Sequence, residues 1–364
     1  MLAAQVKFAS RESLDFVEEL KARVEAYFAS RGISDKADWR MITKSVLLLS
    51  SYFGAYALLM TNWFSPWEML GIAVFMGVAM AGVGFAVSHD ALHGAYSSHS
   101  AVNRTIGFTF DLLGANGYMW KITHNVIHHT YTNIQGIDED LEVSPLIRLS
   151  PRSTWHPIHR IQHVLAFLLY SFSTIFWVFA KDYKYFFARH IGPYKDKTHP
   201  ASEWANLWVM KAIYYGYTIV LPLLFLHVTW WQFLIGFFAM HMTGGLILGV
   251  VFQLAHVVEG PDHPMYDGAG RIENAWAVHQ METSADFAPT NRLLSWYVGG
   301  LNFQVEHHLF PKVCSVHYPA INPIVREVAQ KHGVAYHCHP TLRAAIRSHY
   351  LTLKKFGRQA LQTA

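Results

Sequence analysis

The chain is poor in charge and poor in cysteine. Charged residues make up 15% of its 364 residues, against about 25% in a soluble domain, so an ordinary water-soluble globule is excluded. Two cysteines, Cys314 and Cys338, exclude a disulfide framework and are expected as reduced thiols on the cytoplasmic side. The net charge is only +4 with no dense Lys/Arg stripe, which argues against a nucleic-acid partner. Basic residues near apolar runs fit contact with anionic lipid instead. The N-terminus is charged well before any apolar run, unlike a cleavable signal peptide. The chain lacks the His-Glu-x-x-His string common in zinc hydrolases and the Glu plus Glu-x-x-His pattern of soluble carboxylate di-iron bundles. No internal repeat or low-complexity tract is present.

What is abundant is apolar and aromatic. Hydrophobic residues make up 52%, with 12 Trp, 18 Tyr and 24 Phe, the composition of a multi-span membrane protein with interfacial aromatic belts. Residues 1–43 read as a cytoplasmic N-terminal amphipathic segment, with a helix over Ser13–Phe28 whose Leu14, Val17, Leu20, Val24 and Phe28 recur near helical spacing. Spans are expected at about 44–63, 66–87, 208–228 and 231–255, each near the twenty residues that cross about 30 Å of hydrocarbon. The connectors between the paired spans hold Trp63 and Trp67, then Trp230 and Trp231, with no basic residue, an outer-face signature. The apolar stretch Ile106–Tyr118 is too short to span and reads as buried or interfacial.

Eight histidines fall just past these runs: His89 and His93 (HDALH), His124, His128 and His129 (HNVIHH), His256 (QLAH), and His307 and His308 (QVEHH). Neutral imidazole is the commonest protein metal ligand, and a tetrahedral site takes three or four ligands, so eight call for two metal ions. If all four groups line one site, an even number of spans separates HNVIHH from His256. The doubtful run Val164–Ala180, read as an interfacial helix, should then lie in the interface or return to the same side. Its flanks agree, with Arg148, Arg152 and Arg160 before it and Lys181, Lys184, Arg189, Lys195 and Lys197 after it. The expected architecture is all-α and integral to the membrane. Four transmembrane helices and a cytoplasmic helical cap hold a histidine-rich site, with both termini cytoplasmic. Residues 44–318 form the membrane domain and 319–364 a cytoplasmic C-terminal segment.

On a helix, residues four apart share a face, so His89 with His93, and His124 with His128, can each grip one ion. His129 and the His307–His308 pair can reach a second, and Gln304 and Gln253 each stand one turn before a histidine. Ligand type leaves zinc, copper, iron and nickel open; placement at a lipid edge without a hydrolytic nucleophile favours oxygen chemistry at non-haem iron. Other histidines have plainer readings. His99, His156, His159, His163, His190, His199 and His349 fit interfacial or loop positions. The string His337–His339 reads as an exposed turn before a metal site. His241, beside Thr243, suits an acyl tunnel or neutral packing equally, and Gly245 with Gly249 suits close span packing.

HDALHG, HNVIHHTYTN and GGLNFQVEHHLFP, in this order, resemble the three histidine boxes of the membrane fatty-acid desaturases. WAVHQMETSADF (Trp276–Phe287) resembles the segment before the third box, and the match covers about Thr43 to Tyr318. Gln304 stands where the third box otherwise begins with histidine, the form that marks the front-end subfamily, whose members place a double bond between an existing one and the carboxyl end. The resemblance implies a di-iron centre that uses O2 and two electrons to remove two adjacent C–H hydrogens from an acyl chain, carried by coenzyme A or a membrane lipid, in the manner of a linoleoyl-CoA desaturase. Carried over by position, the iron ligands are His89, His93, His124, His128, His129, His256, Gln304, His307 and His308. Asp90, Asn125, Asn133, Asp138, Asp140, Gln253, His279 and Glu306 are candidates to support them. Many front-end enzymes carry a fused cytochrome b5 domain with a His-Pro-Gly-Gly motif. That motif is missing and 44 N-terminal residues are too few, so a separate ferredoxin or cytochrome b5 is expected, as in a bacterial-type enzyme of the inner membrane. Lys312, Arg326 and Lys331 could dock it or be a solvated basic surface. Two alternatives remain: a hydroxylase or ketolase on the same scaffold, and a histidine-rich metal transporter. Transporters place ionisable ligands near the bilayer midplane, whereas these ligands cluster at span ends.

Overall fold

The structure is a computed structural model that describes residues 6–8, 14–141, 144–195, 198–267 and 270–358. Ser13 and Lys197 lie outside the described residues.

Helix α1 (Leu14–Arg31) buries Phe16, Leu20, Val24 and Phe28 at four-residue spacing against Ile321, Val325 and Val328 of a later cap helix. Its apolar face is therefore covered by protein rather than laid on lipid. Helix α2 (Trp39–Met60) starts at Asp38, whose carboxylate accepts the N–H groups of Arg40 and Met41. This cap lifts the start to Trp39, ahead of the Lys44 expected from hydropathy. Helix α3 (Pro66–Leu92) starts with a reciprocal cap between Ser65 and Glu68 and with Pro66 in its first turn. It runs past the expected end at Val87 and carries His89 and Asp90 on its last turn.

Helix α4 (Ser100–Leu112) takes in the first half of the short apolar stretch Ile106–Tyr118. A broken helical run, α5, covers 117–131 and is wound wide, with π-type turns, over Lys121–His128. Helices α6 (Pro157–Ser171) and α7 (Ser173–Phe187) are bent by 56° at their junction. Helices α8 (Ala201–Phe225) and α9 (Trp230–His256) follow. The helices α2, α3, α8 and α9 are long and apolar enough to cross a membrane, or five crossings result if α6 with α7 is one span. The gathering of the histidines decides this point. The rings of His128, before the bent pair, and His256, at the end of α9, lie 4.8 Å apart. With α8 and α9 each crossing once, the bent pair must return to its own side.

The tightest packing joins α3 to α9 and α9 to the bent pair. A Cβ on Gly245 would stand 2.5 Å from the Ser171 carbonyl oxygen, and one on Gly249 2.8 Å from Tyr170 Cβ. This Gly-x-x-x-Gly stripe therefore seats the bend of the hairpin against α9. On the opposite face of the four long helices, Trp63, Trp67, Trp230 and Trp231 are exposed, as in an interfacial belt.

The cap is closed by α10 (Trp276–Glu282), α11 (Arg292–Tyr297), α12 (Gln304–Leu309), α13 (Tyr318–Lys331) and α14 (Leu342–Arg358). Two short parallel pairs tie its ends together. Lys7–Phe8 runs beside Arg271–Ile272, and Ala285–Phe287 beside His337–His339. The latter string is thus a half-buried strand, not the exposed turn its composition suggested. Gly299 has φ +61° and its Cα faces the Phe85 carbonyl oxygen, which a Cβ would meet at 2.3 Å. Only glycine lets the segment before α12 approach the end of α3 this closely.

Candidate metal centre

Four elements deliver the histidines: the last turn of α3, the wide run of α5, the end of α9, and α12. They form two groups. In the first, ring nitrogens of His89, His93, His124 and His307 all lie within 4.8 Å of one another; in the second, those of His128, His256 and His308 do so. The rings of His129 sit between the groups, 4.7 Å from His93, 4.6 Å from His307 and 4.3 Å from His308. The Gln304 amide joins the second group, 3.0 Å from His256 Nε2 and 3.1 Å from His308 Nε2.

The structure divides two pairs that sequence spacing left together. His124 and His128 go to different groups because the π-type winding of 121–128 takes more residues per turn than an α-helix. Their rings stack 4.9 Å apart and nearly parallel. His307 and His308, adjacent on α12, likewise point to different groups.

Several ring nitrogens of the cluster are buried without hydrogen-bond partners: His89 Nδ1, His93 Nε2, His124 Nε2, His128 Nε2, both nitrogens of His129, and His307 Nε2, whereas His256 Nε2 and His308 Nε2 face the Gln304 amide. Each such atom costs about 1–3 kcal/mol if left unpaired. A cation at each focus would satisfy them, so the residues fit a pair of metal ions. Burial, followed by the neighbouring imidazoles, holds His93, His129, His307 and His308 well below the usual histidine range. Burial likewise pushes His124 down to about 3, against the pull of Asp140. Neutral imidazoles are the ligating form.

The outward nitrogens are held from behind. His124 Nδ1 meets Asp140 Oδ2 at 3.3 Å and His128 Nδ1 meets Asp138 Oδ2 at 3.0 Å. His256 Nδ1 donates to the Thr283 carbonyl oxygen at 3.1 Å, His307 Nδ1 meets Tyr318 Oη at 3.2 Å, and His308 Nδ1 donates to Gln280 Oε1 at 2.7 Å. Such partners fix the tautomer and aim the ring. Gln280, Tyr318 and Thr283 were not singled out in the sequence. Gln280 lies within the WAVHQMETSADF segment, and that string was the only signal available for it.

The other expected supports are placed as follows. Asp90 lies 3.7 Å from His89 Nδ1 and accepts from Ser315 N–H and Oγ, each at 2.9 Å. Asn133 Nδ2 donates to the carbonyl oxygens of His256, Asp262 and Thr283, and its own N–H donates to Asp138. Asn125 Nδ2 donates to the Leu92 carbonyl oxygen at 3.0 Å, which ties α5 to the end of α3. Gln253 is buried on α9 with no partner for its Oε1 among the described residues. His279 packs against Phe8 and its ring bonds the Thr132 backbone, outside both groups. Glu306 turns to Asn322 and Tyr336 rather than to a histidine. Burial pushes its neighbour Asp286 up to about 6 and Glu306 well above the carboxylate range.

These features define a helical membrane protein with a histidine-rich metal centre at one end of its spans. The chain belongs to the fatty acid desaturase family, whose model matches residues 65–340. It is 36% identical to the sn-1 linoleoyl-lipid 6-desaturase of Arthrospira platensis over 98% of this chain and 96% of that one. It is equally similar, at 36%, to the sn-1 linoleoyl-lipid 6-desaturase of Synechocystis sp., covering 98% and 99%. The acyl-lipid (8-3)-desaturase of Physcomitrium patens is 36% identical over 97% of this chain and 74% of its own length. The protein is accordingly an oxidoreductase that desaturates acyl chains.

Proposed function

We propose that this enzyme is a front-end acyl-lipid desaturase with two iron ions, one at each histidine group, that uses O2 and two electrons per double bond. His89, His93, His124 and His307 would hold one ion and His128, His256 and His308 the other, with His129 between them and Gln304 beside the second. What supports two ions is the presence of two separate imidazole groups, with unpartnered buried nitrogens on His89, His93, His124 and His307 in the first and on His128 in the second. Iron is favoured by the reaction: removing two unactivated C–H hydrogens needs an O2-activating metal, which a pair of iron ions held here would supply. The residues described here do the positioning. The backing partners aim five of the rings, those of His124, His128, His256, His307 and His308.

The acyl chain is proposed to be lipid-linked and already unsaturated, with the new double bond entering on its carboxyl side, as the names of the Arthrospira and Synechocystis relatives suggest. The electrons are proposed to come from a ferredoxin or cytochrome b5 that docks on the cytoplasmic face of the cap. A host without polyunsaturated lipids, supplied with linoleate and expressing the enzyme, should accumulate a triunsaturated chain in its membrane lipids. Mass spectrometry of derivatised fatty acids locates the bond. A hydroxylated or keto product would move the enzyme to the sister chemistry, and a new bond on the methyl side would remove the front-end assignment.

A further inference from the structure

We propose that Lys181, on the returning helix α7, is a positioning residue for the first metal position, acting on His124 through Asp140. The inference rests on the metal reading above and concerns a residue outside all three histidine boxes.

The geometry is a chain of three groups. Lys181 Nζ lies 3.3 Å from Asp140 Oδ1, and Asp140 Oδ2 lies 3.3 Å from His124 Nδ1. His124 Nε2, across the ring, is buried and without a partner. The carboxylate is thus gripped at both oxygens, one by an ammonium and one by the ring. A carboxylate held only by His124 could rotate about its side-chain bonds and let the imidazole turn with it. With Lys181 in place, the Nδ1–H is aimed at a fixed acceptor and the opposite nitrogen at the focus of the first group. Trp120 completes the clamp, stacked on the His124 ring at 4.4 Å and 20°.

Two further observations separate this arrangement from an ordinary surface ion pair. Lys181 is only 9% exposed, and its ammonium also rests over the Trp177 ring at 4.7 Å. Burying an ammonium is costly unless it is paired, so the contact has a purpose that solvent would have served more cheaply. The residue next to it, Asp182, is engaged elsewhere: Lys211 Nζ of α8 at 2.8 Å and Trp177 Nε1 at 2.9 Å hold its two oxygens. Lys211 Nζ also donates to the carbonyl oxygens of Gly114 and Val178. Consecutive residues of α7 therefore face two ways. Asp182 anchors the helix to a membrane span, and Lys181 passes that fixed position to the ring of His124. The hairpin that does not cross the membrane thereby becomes part of the metal site's scaffold.

The test uses the full-length enzyme in detergent, loaded with iron, and measures the rate of iron loss to an Fe(II) chelator alongside the Mössbauer spectrum. Support groups behind a ligating histidine are worth about 10–100-fold in metal affinity. Lys181→Met should release one of the two irons about tenfold faster and alter one of the two iron signals, whereas Lys181→Arg should restore both readings. Lys181→Met combined with Asp140→Asn should lose iron no faster than Asp140→Asn alone, because both act on one path. Wild-type iron loss and spectra in Lys181→Met, or additive effects in the double variant, would overturn the proposal. Should Lys181→Met fail to fold, Lys181→Gln carries the same comparison at nearly the same length. Desaturation is not among these readings, so loss of the proposed substrate assignment leaves the inference standing. A wild-type protein that binds no iron would overturn both.

Discussion

The two histidine groups are built from the same kinds of parts and differ in how they are finished. Each contains one ring backed by a carboxylate, His124 by Asp140 and His128 by Asp138. The first group has four imidazoles; the second has three and the Gln304 amide. Behind the first stands the Lys181 ammonium, whereas the remaining rings of the second rest on neutral oxygens from Thr283 and Gln280. An amide is a weaker ligand than imidazole, so the second position would hold its ion less tightly.

Removing a ligand should have the largest effect and separates the groups most sharply. His307→Ala empties part of the first group and His308→Ala part of the second; each should bring desaturation to background and lower iron content. Retained activity in either variant would take that ring out of the site. Changing Gln304 comes next. Gln304→Ala should lower iron content toward one ion per chain, with activity down at least about tenfold, whereas Gln304→His should keep both ions. Full iron content in Gln304→Ala would mean that the amide fills space only. The supports follow: Gln280→Leu should lower activity about tenfold, and Gln280→Glu, which keeps an acceptor for His308 Nδ1, should recover most of it. A Gln280→Leu enzyme with wild-type iron retention would contradict its role.

The smallest effect on the site should come from His349, a histidine outside both groups. Sequence reasoning put it in an interfacial or loop position. The structure buries it completely, with Nδ1 donating to the Val257 carbonyl oxygen at 2.7 Å and Nε2 3.0 Å from the Tyr170 hydroxyl. His349→Ala should leave the iron content alone yet destabilise the fold by about 1–3 kcal/mol, since it strands two buried polar groups. A thermal melt in detergent reads this, and an unchanged melting temperature would refute it.

His349 also illustrates where sequence reasoning stops. The histidine boxes were readable because local spacing and the ends of apolar runs put those residues on known faces. The parity of crossings was readable because the boxes must meet. Asp138 and Asp140 were readable beside HNVIHH, whereas the remaining supports were not, because no local spacing relates them to the rings they face. Gln280 reaches His308 from α10, Tyr318 reaches His307 from the start of α13, and Lys181 reaches Asp140 from the returning hairpin. Nor did the pattern HNVIHH reveal the wide winding that sends His124 and His128 to different groups. Helix starts shifted for a local reason, the Asp38 cap, that hydropathy does not register.

The proposed centre has two metal positions of unequal character in one buried histidine cluster. Metal analysis of the purified wild-type enzyme, with 57Fe Mössbauer spectra of the same sample, tests it most directly. The account predicts two irons per chain with two distinguishable signals. A single ion per chain, or zinc filling both positions in an active enzyme, would contradict it.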